Sequence, residues 1–157
     1  GLRKGAHYFA EASRILRSKG KRYNFVGAGL PRANINHPIF DGITVLGHLP
    51  RNEIIYQYLT ADVFVLPTLV EGMAIAHLEA MAFGLPIITT PNCGSVISDS
   101  REGFIVPIKD SQILASKIEE IVENRDLRNE ISFRSKQKAK LYTWEKYSQN
   151  LLKAINS

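Results

Sequence analysis

The sequence predicts an α/β domain built on a doubly wound parallel sheet. Short, continuous apolar blocks such as residues 63–66 are typical of strands that are buried on both faces. These blocks alternate with longer segments, such as residues 4–20 and 111–124, in which apolar residues recur at helical spacing. The chain has 157 residues, the length of one such unit, so we expect a single domain over residues 1–157.

The composition is that of an ordinary globular protein from a reducing compartment. Hydrophobic residues make up 45% of the chain and charged residues 22%, values that exclude an intrinsically disordered protein. Cys93 is the one cysteine, so an internal disulfide is excluded. The sequence has no apolar run of the length of a membrane span, and residues 1–5 do not resemble a secretory leader. We therefore expect a cytoplasmic protein.

The first third of the chain predicts a helix followed by two strands. The strands lie at residues 22–27 and 43–47. The helix covers the segment 4–20, and its inner face is formed by Tyr8, Phe9, Ala12, Ile15 and Leu16.

Two segments between these elements are irregular. Residues 31–42 lack periodicity and predict a loop with at most one short helical turn. Residues 27–29, Gly-Ala-Gly, are interpreted as a plain turn because the third glycine of a dinucleotide-binding turn is missing. A direct phosphate contact is the alternative.

The rest of the chain predicts two more strands, at residues 85–90 and 103–107, and further helices. One helix begins at Arg51 or Asn52, with Ile54, Ile55, Tyr58 and Leu59 inward. Another follows the N-cap Asp110, with Ile113, Leu114, Ile118, Ile121 and Val122 inward. The last two helices are expected at residues 126–142 and 144–155.

Residues 66–86, LPTLVEGMAIAHLEAMAFGLP, set two carboxylates into an apolar run. A helix is predicted over about 74–83, and Gly84 and Pro86 indicate its end. Because this helix follows the carboxyl end of a buried strand, its free amides are expected to form an anion site. Glu71 precedes the helix in a loop and Glu79 lies within it, roughly 12 Å away at 1.5 Å per residue. That separation suits the two ends of one extended ligand; the alternative is an ordinary loop acid and a structural ion pair.

The run EGMAIAHLEAMAFGLPII and its continuation TTPNCGSVISDSREGFIVP resemble the Glu-x7-Glu signature region of retaining glycosyltransferases of family 4, which have the GT-B fold. The resemblance implies that the chain is the Rossmann-like, carboxyl-terminal half of such an enzyme and binds its donor, a nucleoside diphosphate sugar such as a UDP- or GDP-sugar. It also implies that the amino-terminal half and the first strand of this half, which would lie mid-sheet, are outside the sequence. The fragment is expected to be inactive alone.

The resemblance also implies roles for individual residues. Glu71 would bond hydroxyls of the donor sugar, Glu79 would bond the ribose, and Lys4 would neutralise the phosphates. The loop at His48 and Leu49 would contact the base. The remaining donor-binding residues, which include the amides for the diphosphate, are Gly72, Met73, Ala74, Ile75 and Ala76. Ala74 stands where relatives often have glycine. The loop from Asn92 is shorter than in many relatives and lacks their Gly-Gly pair.

Partners follow from the same resemblance and from the charge pattern. The acceptor would be a glycan or a lipid-linked sugar held by the missing half. The formal net charge is +5, and residues 125–140 hold six Lys or Arg against two acids, 6 − 2 = +4. A solvated helix face explains this cluster, and a peripheral membrane contact is the alternative. We expect no nucleic acid, metal or cofactor. A non-catalytic nucleotide-sugar-binding module, or half of a GT-B epimerase or phosphorylase-like enzyme, is the rival interpretation.

Overall fold

The computed structural model of the chain describes residues 2–29 and 37–155. The strands within them are β1 (Val26–Ala28), β2 (Thr44–Gly47), β3 (Phe64–Leu66), β4 (Glu71–Met73), β5 (Ile87–Thr89), β6 (Cys93–Gly94) and β7 (Gly103–Ile105). The helices are α1 (Ala6–Ser18), α2 (Arg51–Thr60), α3 (Ile75–Ala82), α4 (Ser111–Glu123), α5 (Arg125–Ala139) and α6 (Trp144–Ile155). Short 3₁₀ turns cover Leu2–Lys4 and Pro38–Phe40.

All strand pairs of the described residues are parallel. β3, β5 and β7 form one sheet in the order β3-β5-β7, with Ile88 opposite Val65 on one side and Phe104 on the other. β1 pairs with β2, and β4 pairs with β6. No hydrogen-bonded pair among the described residues joins β1 and β2 to the other strands.

The sheet is doubly wound: helices cover both of its faces, and β5 is therefore buried on both sides. All three of its residues are fully buried, and Ile87 and Ile88 point into different apolar clusters. Ile88 belongs to the cluster formed with α1 and α4, and Ile87 belongs to the one formed with α2 and α3. α5 packs against both α3 and α4. The predicted fold class, α/β with a Rossmann-like parallel sheet, is confirmed.

Several predicted elements are confirmed with their local signals. The inner face predicted for α1 packs in the first cluster, and α2 begins at Arg51. Asp110 caps α4 by accepting a hydrogen bond from the amide of Ile113 at 2.8 Å. Gly84, which follows α3, has a φ of 84°. Of the predicted loop at residues 31–42, residues 31–36 lie outside the described residues, and Pro38–Phe40 form a short 3₁₀ turn in the part that is described.

Other predictions are wrong in detail. Leu59 is 67% exposed and Ile113 is 40% exposed, although both were expected to face inward. Leu59 follows the buried Tyr58, and Ile113 precedes the buried Leu114. Because successive residues of a helix are rotated by about 100°, both side chains are turned away from the core face. The strand predicted at 22–27 begins only at Val26, and the helix expected at 126–142 is α5, which starts and ends earlier.

α6 is an exposed amphipathic helix. Its apolar residues recur at helical spacing and remain exposed, among them Trp144, Tyr147, Leu151 and Ile155. The described helices include none that is both long and apolar enough to cross a membrane.

Gly103 is required where β7 meets β5. It has a φ of 150°, and a Cβ at this position would lie 1.7 Å from the carbonyl oxygen of Ile87. We expect Gly103→Ala to lower the free energy of unfolding by about 3 kcal/mol, since the β5–β7 pairing would have to shift. Urea denaturation followed by circular dichroism measures this. The control is Gly72→Ala, where a Cβ meets no heavy atom within 4 Å; equal stability of the two variants would contradict the account.

Candidate functional site

The candidate site lies where the chain leaves β3 and returns through α3 to β5. The sequence predicted a loop at Glu71, and this prediction is wrong. Glu71 is the first residue of β4, where it pairs with Cys93 of β6. The pairing is possible because the Asn92 segment runs alongside: the amide of Glu71 donates to the carbonyl of Asn92 at 3.0 Å. The Asn92 segment therefore holds Glu71 in place from the side.

The amino terminus of α3 is open to an anion. Ala74 is the N-cap residue and has no side chain that can accept from the first amides of the helix. Gly72, Met73 and Ile75 around it are exposed, Ala76 is half-buried and Ala74 is buried. The amides at the start of α3 and the positive end of its dipole are therefore accessible from the side of the exposed residues.

The Leu2–Lys4 turn lies against Glu71. The Lys4 ammonium is 3.5 Å and the Arg3 guanidinium 3.8 Å from the Oε2 atom of Glu71. Gly5 allows this approach: its φ is 72°, and a Cβ would lie 1.9 Å from the carbonyl oxygen of Pro67. The carbonyl of Arg3 accepts from Thr68 and Leu69, which fixes the turn to the loop after β3.

Glu79 is held by two residues of α2. The Tyr58 hydroxyl donates to its Oε2 atom at 3.1 Å, and the Arg51 guanidinium donates to its Oε1 atom. Tyr58 is buried against Phe64 and Phe83. Burial, together with the charge of Glu79, raises the pKa of Tyr58, so its hydroxyl stays protonated and remains a donor.

A neutral pair lies beneath Glu71. His77 on α3 is 1% exposed, and its Nδ1 atom is 3.9 Å from the Sγ atom of Cys93. Burial lowers the pKa of His77 to about 4, against the opposing effect of Glu71, and burial raises the pKa of Cys93. The imidazole and the thiol are therefore both uncharged at neutral pH, and the pair is not an activated thiolate.

The structure brings some of the predicted site residues together and leaves others apart. Lys4 meets Glu71, and both flank the open end of α3. His48 is exposed and Leu49 half-buried in the loop before α2. Among residues 2–29 and 37–155, neither forms a hydrogen bond or ion pair with Glu71 or Glu79. No cluster of three or more potential metal ligands occurs in this part of the chain.

Sequence reasoning missed Arg3, Arg51, Tyr58 and His77 as parts of the site. A signal existed for Tyr58, because a phenol on the inner face of a helix needs a hydrogen-bond partner when it is buried. Arg51 carried no signal beyond its place at a helix start. These contacts join segments that are distant in sequence, and one chain without a structure does not reveal them.

Known proteins that are similar to the chain identify its family. Residues 2–124 match the family model described as glycosyl transferases group 1. The chain belongs to this family. The amylovoran biosynthesis glycosyltransferase AmsK of Erwinia amylovora is 33% identical over 129 residues, which are 73% of this chain and 32% of that protein. The chain thus spans about a third of the length of this relative.

Solved structures support the same assignment. The carboxyl-terminal domain of a glycosyl transferase group 1 family protein, LpcC, from Francisella tularensis matches with a TM-score of 0.72 and 26% identity, covering 87% of this chain and 78% of that one. Sucrose-phosphate synthase from Thermosynechococcus elongatus matches with a TM-score of 0.84 over 99% of this chain and 42% of that one. At 21% identity this second likeness concerns the fold alone. The predicted family and its GT-B fold are confirmed.

The buried His77 predicts a pH-dependent stability. Because its pKa is about 4 in the folded protein and 6.5 in the unfolded chain, the unfolded state binds a proton between these values that the native state does not. We expect the free energy of unfolding to fall as the pH falls from 6.5 towards 4, by up to about 3 kcal/mol. Denaturation at several pH values measures this.

Substitution should isolate the contribution of His77. His77→Gln and His77→Leu do not titrate and should lose most of the slope in this window. His7→Gln is the control: burial also lowers the pKa of His7, but this side chain is only half-buried, whereas His77 is buried, so this variant should keep most of the slope. Equal slopes in the wild type and in both His77 variants would contradict a buried, uncharged His77.

Proposed function

We propose that this chain is the donor-binding domain of a retaining glycosyltransferase and binds a nucleoside diphosphate sugar. The observation that carries the proposal is the placement of two carboxylates, Glu71 and Glu79, on either side of the open amino terminus of α3. Diphosphate is an anion that fits helix amides, and sugar hydroxyls are natural donors to carboxylates. The two ends of one donor would therefore meet the two acids.

The diphosphate would lie between the start of α3 and the Leu2–Lys4 turn. The amides of Ala74, Ile75 and Ala76 would donate to its oxygens, and Lys4 would add a positive charge. Arg3 lies beside the same oxygen of Glu71 as Lys4. We assign it a supporting role in neutralising the phosphates.

Glu71 and Glu79 would hold the two sugars of the donor. Glu71 lies next to the phosphate-binding cations and would bond the transferred sugar. Glu79 lies further along α3 and would bond the ribose, which places the base towards His48 and Leu49. The donor would be a UDP- or GDP-sugar, and no cofactor is required.

In the intact protein we propose that the sugar passes to a glycan or lipid-linked acceptor with retention of configuration. Helix amides, Lys4 and Arg3 would stabilise the departing diphosphate while the acceptor attacks from the same face. His77 and Cys93 are both buried, and burial raises the pKa of the Cys93 thiol, so neither offers an accessible, activated covalent nucleophile; this supports the electrostatic role. The 157 residues alone would bind the donor without transferring the sugar, since both substrates must be held together.

We propose a cytoplasmic location, with peripheral membrane contact as the alternative. The cationic segment 125–140 and the exposed apolar residues of α6 are the surfaces that would meet a membrane.

The ribose contact is tested by Glu79→Gln. We expect nucleoside diphosphate binding to weaken by about 1 to 3 kcal/mol, because a charge-assisted hydrogen bond becomes a neutral one. Isothermal titration calorimetry with UDP and GDP measures the change. The matched control is Glu123→Gln, since Glu123 also accepts from a tyrosine and a cation, Tyr23 and Lys21, on another part of the surface. Unchanged affinity of a folded Glu79→Gln protein would remove Glu79 from the site.

The sugar contact is tested by a pair of variants with opposite expectations. Glu71→Ala should leave UDP or GDP binding unchanged or slightly tighter, because Lys4 and Arg3 lose a competing carboxylate. It should abolish the additional affinity that the correct sugar confers, and in the intact enzyme it should lower kcat more than it raises KM. Lys4→Met should weaken diphosphate and diphosphate sugar alike. Equal losses for both ligands in Glu71→Ala would make Glu71 a structural acid.

A further inference from the structure

The two oxygens of Glu79 are occupied in different ways. Tyr58, which donates to Oε2, is 9% exposed. Arg51, which donates to Oε1, has a side chain that is 65% exposed, and Glu79 itself is 27% exposed. Of the two partners of Glu79, Arg51 is therefore the one that a ligand approaching from solvent meets, and we call the Oε1 atom that it covers the outward oxygen.

The hydrogen bond from Tyr58 is a fixed feature of the fold. The Tyr58 ring stacks on Phe83 with centroids 5.4 Å apart and lies 6.1 Å from Phe64. Its packing leaves the hydroxyl aimed at one carboxylate oxygen. Since a carboxylate on a helix otherwise samples several rotamers, this bond selects one of them.

The ion pair from Arg51 is exchangeable. Exposed pairs of this kind contribute little to stability and are screened by salt. Each carboxylate oxygen has two lone pairs, so the hydrogen bond itself does not exclude a ligand hydroxyl. The exposed guanidinium, however, occupies the solvent side of Glu79 from which the hydroxyls would approach, and it must move aside before they can reach the carboxylate. The fraction of molecules with a free oxygen then multiplies the affinity for the ligand.

We propose that Tyr58 is a positioning residue that holds Glu79 ready for the nucleoside hydroxyls, and that Arg51 is a gate that covers the outward oxygen until the nucleoside displaces it. This inference rests on the proposed binding of ribose by Glu79. It adds Tyr58 and Arg51 to the site. It also implies that the affinity for a neutral nucleoside depends on the Arg51–Glu79 ion pair, which the nucleoside must break to bind.

A gate formed by Arg51 predicts that the affinity for neutral nucleosides rises with salt concentration. Uridine and guanosine carry no charge, so salt does not weaken their contacts with the protein directly. Salt does weaken the Arg51–Glu79 pair, so binding of these nucleosides should become tighter as ionic strength rises from roughly 0.02 to 0.3 M. Arg51→Gln should bind them about two- to fivefold more tightly than the wild type at low salt, with no dependence on salt.

The experiment is an NMR titration of the intact protein with uridine and guanosine at low and high salt. Arg51→Lys should retain the salt dependence, because it keeps the charge. Arg134→Gln is the matched control: its Arg–Glu pair lies within α5, so nucleoside affinity should be that of the wild type. Weaker binding in Arg51→Gln at both salt concentrations would overturn the gate by making Arg51 a ligand contact. A salt-independent wild type would overturn it by making the pair structural only.

Tyr58→Phe tests the positioning role. It should weaken nucleoside binding roughly three- to tenfold, since Glu79 loses its fixed donor, and it should leave binding of inorganic pyrophosphate unchanged. General damage to the fold would weaken both. Tyr23→Phe is the control, since Tyr23 also donates to a glutamate, Glu123. Equal losses for nucleoside and pyrophosphate, or no loss for either, would overturn the role of Tyr58.

Glu79→Gln separates the two levels of the proposal. If it leaves uridine and guanosine affinity unchanged, the ribose assignment fails and the gate fails with it. If it weakens nucleoside binding while Arg51→Gln has no effect, the proposed function stands and the gate alone is overturned.

Discussion

The parallel pairing of β3 with β5 is the constraint on which the site depends. Parallel neighbours cannot be joined by a tight turn. The chain that leaves the carboxyl end of β3 at Leu66 must therefore return to the amino end of the strands before β5 can begin. This crossover connection contains α3, and the amino terminus of α3 consequently lies at the carboxyl ends of the strands. Glu71 precedes that terminus and Glu79 follows it. The parallel pairing of β3 and β5 therefore also sets the uncapped amino terminus of α3 between the two acids.

The crossover is fixed by hydrogen bonds from its neighbours. Thr90 donates to the carbonyl of Thr68 at 2.6 Å, and Asn92 donates to that of Leu69 at 3.0 Å. Thr68 in turn donates to Arg3, which secures the Leu2–Lys4 turn. The loop is thus held from both sides by hydrogen bonds from side chains to backbone carbonyls. The acid and the cations therefore reach their positions through a scaffold that does not depend on the ion pairs themselves. A ligand can replace those ion pairs without dismantling the loop.

The sequence was sufficient for the fold, and it made two acids candidates for the site. Continuous apolar blocks and helical periodicity predicted the class, and the spacing of Glu71 and Glu79 around a helix start singled out both acids as candidates. Their partners could not be predicted, because Arg51 and Tyr58 reach Glu79 only after α2 packs on α3. The errors at Leu59 and Ile113 have a related cause. A period of 3.6 fixes which residues share a face, but the neighbouring elements decide how wide the buried part of that face is.

The distribution of charge separates the site into two layers. Below Glu71, burial keeps His77 and Cys93 uncharged. At the rim, Lys4, Arg3 and Arg51 are more than half exposed, and each lies beside one of the two half-buried acids. Because His77 and Cys93 carry no charge, the electrostatic potential at the amino terminus of α3 is set by the helix dipole and by the charged residues at the rim. Because the cations already face the acids, an anionic ligand that draws them away leaves those acids free to accept from its hydroxyls. Binding of the phosphates and binding of the hydroxyls would then favour each other, which is the coupling expected of a surface that takes both parts of one molecule.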